Sequence, residues 1–214
     1  MLYWAADHTD LRPFVLRKTM TAWIAAGVLV LLLLFWGVGA YRRLGSLRRQ
    51  VRQAFRALDV CLKRRYDLAP ALVEAANSAM KQQRELLDAV VVARNRALEA
   101  NTSAAADMSS KSAMQRMALT EGEFARVLGH MLQAWNDGAV ADNDAAMSIL
   151  ENLRAVESGI AFARHTYNES VEQYNGSRAL FPRSVIAVVF AFTPAFPLPF
   201  AEIHERHDTV LPLG

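Results

Sequence analysis

Read for apolar and polar positions, the chain falls into one unbroken apolar block followed by four helical stripes. Met20 to Ala40 (MTAWIAAGVLVLLLLFWGVGA) contains no charged residue. At about 1.5 Å per residue its length matches the roughly 30 Å hydrocarbon core of a bilayer, so it predicts a spanning helix. Trp23, Trp36 and Tyr41 stand near its ends, where amphipathic rings favour the headgroup region. A cleaved signal peptide is the main competitor, because Val38-Gly39-Ala40 offers small residues before a cut. The apolar run is longer than the h-region such a peptide carries, which favours the span.

Beyond the block, Leu44, Leu47, Val51, Ala54/Phe55, Leu58 and Leu62 recur in steps of three and four, placing one stripe on one helix face. A second stripe runs through Leu72, Val73, Ala76, Met80, Leu86/Leu87, Val90 and Val91, and a third through Met114, Met117, Phe124, Val127, Leu128, Met131 and Trp135. The fourth, Leu153, Val156, Ile160, Ala163, Tyr167, Val171 and Tyr174, is the most regular and resembles a seam between antiparallel helices. Small polar runs at Asn101–Ser110 and Asn136–Asp144 predict loops. The first boundary is open. Asp67 can cap a new helix with Pro70 in its first turn, Pro70 can merely kink one long helix, or the break can fall near Lys81 to Arg84. The pattern therefore predicts an all-α chain with an N-terminal tail (1–19), a transmembrane helix (20–40), an up-and-down antiparallel four-helix bundle with long helices (41–182) and an apolar, proline-rich C-terminal tail (183–214).

Composition agrees: 53% of the 214 residues are hydrophobic, which excludes wholesale disorder and leaves one domain with a core to bury. The lone cysteine, Cys61, excludes an intrachain disulfide and reads as a small helix residue. The net charge is only +3, but its placement is informative. Six basic residues (Arg42, Arg43, Arg48, Arg49, Arg52, Arg56) follow the span against three (Arg12, Arg17, Lys18) before it. Lys and Arg resist translocation, so the C-terminal domain is expected in the cytoplasm, at an inner membrane crossed once. The N-x-Ser matches at Asn101, Asn168 and Asn175 then carry no glycosylation reading.

Nine Lys or Arg and a single acid, Asp59, lie between Arg42 and Arg65. No aromatic platform or reading motif accompanies them, which argues against nucleic acid. With a Debye length of about 8 Å, only Arg42 and Arg43 are expected to feel anionic lipid. The distal ones are expected to pair with acids on neighbouring helices, or with a partner.

No phosphate loop, dinucleotide fingerprint, zinc-protease motif or nucleophile elbow is present. His204 and His207 make a poor metal site because nothing nearby supplies further ligands, and His130 and His165 stand alone on helices. No catalytic residue, metal ligand or cofactor site is assigned, and a bundle-core site would need inward Glu-x-x-His pairs that are missing. After Phe181-Pro182, the uncharged Ser184 to Ala201 is too interrupted by proline to be a second span. It is expected to cover the bundle, dip into the membrane interface, or mediate self-association.

Several runs together resemble the bacterial LemA family. They are Asp59-Val60-Cys61-Leu62-Lys63-Arg64-Arg65-Tyr66-Asp67-Leu68-Ala69-Pro70-Ala71-Leu72-Val73-Glu74 and Glu157-Ser158-Gly159-Ile160-Ala161-Phe162-Ala163-Arg164-His165-Thr166-Tyr167-Asn168. Val171, Tyr174-Asn175 and Phe181-Pro182 follow at matching spacing. Ala71 after the proline, Arg42 after Tyr41, and the lack of Tyr-Pro near Trp135-Asn136 mark a divergent member. The resemblance implies a membrane-anchored four-helix bundle without established enzymatic activity, and an envelope or membrane-organising role. The motif residues Arg64, Arg65, Tyr66, Asp67, Pro70, Leu72, Val73, Ile160, Arg164, Tyr167, Asn168, Tyr174, Asn175, Phe181 and Pro182 read as mainly structural. Tyr167 and Tyr174 fall on the apolar seam, and Asn168 and Asn175, one step round, are placed to bond across the bundle or to a partner. The leading expectation is an interaction or scaffold protein whose partners are the bilayer, other proteins or itself. The alternative is a sensor or enzyme domain with a small-molecule pocket in the bundle.

Overall fold

The computed structural model of the chain describes residues 12–77, 80–136 and 144–199. The outer N-terminal tail, most of the expected Asn136–Asp144 loop and the His204–His207 pair lie outside the described residues. Every described element is helical: α1 (Arg12–Asn77), α2 (Arg84–Ala106), α3 (Lys111–Asn136), α4 (Asp144–Ala179) and the short α5 (Arg183–Val189).

Two compact units divide the chain, residues 1–46 with 178–192, and residues 47–177 with 193–214. In the first, the apolar part of α1 is exposed on all sides, from Trp23 at 79% to Phe35 at 78%. Among the described residues it is the one helix long and apolar enough to cross a membrane, with a mean hydropathy of 2.3 over its most apolar 18 residues. Such a helix is compatible with a single-pass anchor. α5 and the residues after it pack beside its end. The Tyr41 ring lies 4.9 Å from Phe190 and 5.6 Å from Phe192, centroid to centroid.

The second unit holds the core. The stripe residues Leu47, Val51, Phe55, Leu58 and Leu62 of α1 are buried, as are Met117, Phe124, Leu128 and Met131 of α3 and Val156, Ile160, Tyr167, Val171 and Tyr174 of α4. On α2 the buried line is Leu87, Val90, Ala93, Ala97, Ala100, Asn101 and Ala104, mostly alanine. Touching pairs run in opposite order along α1 and α4: Phe55 meets the Tyr167 ring at 5.6 Å and Arg65 meets Glu157. The same holds for α1 and α2, where Asp59 meets Asn101 and Tyr66 meets Arg94.

Of the alternatives left open for the first boundary, the structure takes the one long helix through Pro70 with a break just before Arg84, and the expected Asn101–Ser110 loop differs. α1 does not stop at Asp67: it passes through Pro70 and ends at Asn77, so the second stripe is divided between α1 and α2 near Lys81-Gln82-Gln83. Proline usually disrupts a helix interior because it removes a donor to the carbonyl four residues back. Here that carbonyl belongs to Tyr66, and Arg94 Nε donates to it at 3.0 Å, supplying the bond from another helix. Asn101–Ser110 is likewise not a loop throughout, since α2 continues to Ala106. The Thr102 and Ser103 hydroxyls donate to the carbonyls of Leu98 and Glu99 and so do not compete with the helix. The turn itself is short. Asp107 Oδ1 accepts from Ser109 N (3.0 Å) and Oγ (2.6 Å), and Ser110 Oγ accepts from Ala113 N at the start of α3.

Candidate functional site

The polar motif residues gather in two places within the second unit. The first lies among α1, α3 and α4. Arg65 is 3% exposed, a burial that a cation tolerates only with partners. Its guanidinium bonds Glu157 through Nη1 (3.1 and 3.4 Å) and Glu121 through Nη2, and stands 5.0 Å from the centre of the Phe124 ring. Tyr66 donates its hydroxyl to the other oxygen of Glu121. Burial raises the Glu121 carboxyl above its ordinary value, against the opposing pull of Arg65 and the Tyr66 hydroxyl. Burial, then the charge of Glu121, raises the Tyr66 hydroxyl. Arg164 faces the same cluster and is lowered, first by burial and then by Arg65. Beside these groups is a cavity of about 220 Å³, whose apolar walls include Leu58, Met117 and Ile160 and whose edge is formed by Leu198 and Pro199.

The second place is a strap. Residues 193–199, Thr-Pro-Ala-Phe-Pro-Leu-Pro, run without helix along α4. Asn175 makes a closed pair of bonds to Ala195: Nδ2 donates to its carbonyl at 2.7 Å and Oδ1 accepts from its N–H at 3.1 Å. Asn168 repeats the pair on Leu198, at 2.7 and 2.9 Å. Tyr174 and Tyr167 donate their hydroxyls to the carbonyls of Thr193 and Phe196, both at 2.8 Å. The spacing has a physical basis. Asn168 and Asn175 are seven residues apart on a helix, about 10.5 Å. Ala195 and Leu198 are three apart in a stretch whose prolines favour a polyproline-type rise of about 3.1 Å each, or about 9.3 Å. Proline also removes the N–H groups that the clamp leaves unused at 194, 197 and 199. Burial raises the Tyr167 hydroxyl, keeping it protonated as a donor.

These geometries coincide with the runs that carried the resemblance, and the family model described as LemA family matches residues 54–210. The chain belongs to the LemA family. No match to this sequence is found among curated proteins. The LemA-matched segment contains both the Arg65 cluster and the Tyr-Asn clamp. Of its motif residues, Leu72 and Ile160 are core, Val73 and Pro182 are half-buried, and Arg64, Asp67, Pro70 and Phe181 are exposed, the last preceding a cis peptide bond.

Sequence reasoning did not single out Glu121 or Arg94, and it met Asn101 only as an N-x-Ser match and a loop residue, not as the partner of Asp59. Glu121 had a legible signal, because it stands four residues after Met117 and three before Phe124, in phase with the buried stripe of α3. The expected pairing of the distal basic residues holds only in part. Arg65 pairs with glutamates on α3 and α4, whereas Lys63 pairs with Asp59 on its own helix at 2.7 Å, and among the described residues Arg48, Arg52 and Arg56 have no acidic partner. Their spacing of four along α1 points them to one side, toward the α2–α3 turn and the strap, where the two lining carboxylates are already engaged, Asp59 by Lys63 and Asn101 and Asp107 by Ser109.

Proposed function

We propose that this LemA-family chain is a bacterial inner-membrane protein. Met20–Ala40 forms its single span, and its helical domain, read as an up-and-down four-helix bundle, lies in the cytoplasm. It works without enzymatic activity, as an interaction or scaffold protein in membrane organisation, with the bilayer and protein partners or further copies of itself as its contacts.

The observation that carries the reading is the pairing, in one helix, of an apolar segment exposed on every side with a stripe buried in a core. Exposure of that segment to water costs about 25 cal/mol per Å² of apolar area, a cost that hydrocarbon removes. The antiparallel order of the α1–α4 and α1–α2 pairs supports the bundle reading. The scaffold reading is supported by the use of the motif side chains: Tyr66, Tyr167, Asn168, Tyr174 and Asn175 spend their polar atoms on the chain's own groups. The cavity beside Arg65 favours a second reading, a sensor domain with a small-molecule pocket.

Reporter fusions at Gly214 test the topology. A cytoplasm-active reporter should be functional and a periplasm-active one silent, and the reverse result overturns the orientation. In-cell crosslinking followed by pull-down of the tagged chain should capture discrete protein adducts. A chain that crosslinks to nothing, itself included, would remove the scaffold reading.

A further inference from the structure

Three arginines of α1 that have no acidic partner among the described residues share a cleft. Arg48, Arg52 and Arg56 follow one another at intervals of four residues, so they stand on one side of the helix on successive turns. They line an open cleft of about 460 Å³, bordered also by the α2–α3 turn at Asp107–Ser109, by Tyr174 and by the strap residues Thr193–Ala195. That size is ordinary for a small-molecule site.

The charge balance separates this cleft from the cavity beside Arg65. There, two arginines face two glutamates and the lining is neutral within itself. Here three arginines face Asp59 and Asp107, a formal excess of one positive charge, and neither carboxylate serves them. Asp59 is held by Lys63 Nζ and Asn101 Nδ2, both at 2.7 Å, and Asp107 is turned to Ser109. Like charges four apart on a helix repel. Among the described residues no carboxylate offsets that repulsion, whereas an anion in the cleft would.

Guanidinium groups are suited to phosphate because their planar fork bonds two oxygens at once. Three of them on successive turns extend over about 12 Å of helix, more than a single phosphate can engage. We propose that this cleft is a binding site for a polyanionic ligand carrying two or more phosphate groups. Soluble oligophosphates and two-phosphate lipid headgroups share that chemistry. The site goes beyond the scaffold reading and does not depend on it.

The test uses the full chain in a neutral detergent at fixed ionic strength, titrated calorimetrically with inorganic triphosphate and, separately, with mixed micelles containing cardiolipin. Arg52→Gln and Arg56→Gln should each weaken binding about tenfold or more, with melting transitions retained. Arg49→Gln removes the same charge from an exposed position outside the cleft and should change binding less than twofold. Arginine-dependent binding of triphosphate identifies a soluble oligophosphate, and the same dependence seen only with cardiolipin identifies a headgroup; either result supports the site. If neither probe binds, or if Arg49→Gln weakens binding as much as Arg52→Gln, the cleft is a diffuse positive surface and the proposal is overturned.

Discussion

Arg94 Nε donates to the backbone oxygen of Tyr66 at 3.0 Å, and Tyr66 is the residue whose carbonyl Pro70 leaves without a helical donor. One side chain on α2 thus completes a hydrogen bond that the sequence of α1 forbids, and it ties the two helices at that turn. Arg94→Met should cost about 1–3 kcal/mol, because a buried carbonyl loses its partner. In the Pro70→Ala background the restored N–H can serve Tyr66, so the same substitution should cost much less. A double-mutant cycle in chemical denaturation measures this coupling, and additive effects would show that the Arg94 bond does not replace the missing one.

The clamp on the strap is testable by hydrogen exchange. Asn175→Ala removes both bonds to Ala195 and Asn168→Ala both bonds to Leu198. Each should destabilise the folded chain by about 2 kcal/mol and release the amide of its own partner to fast exchange. Unchanged protection at Ala195 in Asn175→Ala would show that the strap is held by other means.

Glu121 joins Arg65 to Tyr66, so Glu121→Ala leaves a buried guanidinium with only Glu157 as carboxylate partner. A loss of about 3–5 kcal/mol is expected. Tyr66→Phe should cost about 1 kcal/mol, since it deletes one hydroxyl and keeps the ring against Phe124.

The same carboxylate predicts a pH dependence. Burial raises the folded-state value of Glu121 above its ordinary 4.5. A raised value means that the folded chain binds the proton more tightly than the unfolded one. The favourable contribution is complete below about pH 4.5 and is lost as pH rises through the folded value. Groups facing it are Arg65 and Tyr66 on α1 and Glu157 and Arg164 on α4. Glu121→Gln should therefore gain stability relative to the parent as pH is raised from 4 toward neutrality. Denaturation curves for both proteins across that range check the sign, and parallel pH profiles would contradict it.

α5 and the residues after it expose Val188, at 81%, together with Val189 and Phe190 in the unit that contains the apolar part of α1. A spin label at Val189→Cys, in a Cys61→Ser background and reconstituted in lipid, should be relaxed by oxygen more than by a water-soluble nickel chelate. Preferential relaxation by the nickel reagent would place this segment in water and leave it as a cover for its own unit.

By itself the sequence determined the all-helical class, the long apolar segment, most of the buried stripe positions and the family, because each rests on a periodicity or a run of residues close together in the chain. The 3.6-residue period identifies which face is buried without any knowledge of what lies opposite. Only the tertiary structure decided where α1 ends, that Asn101 belongs to a helix, what Asn168 and Asn175 hold, and which arginines go unpaired. Those outcomes depend on partners far along the chain, Arg94 for Tyr66, Asp59 for Asn101, Leu198 for Asn168 and Glu121 for Arg65. Local propensity cannot register a hydrogen bond or counter-ion that arrives from another helix.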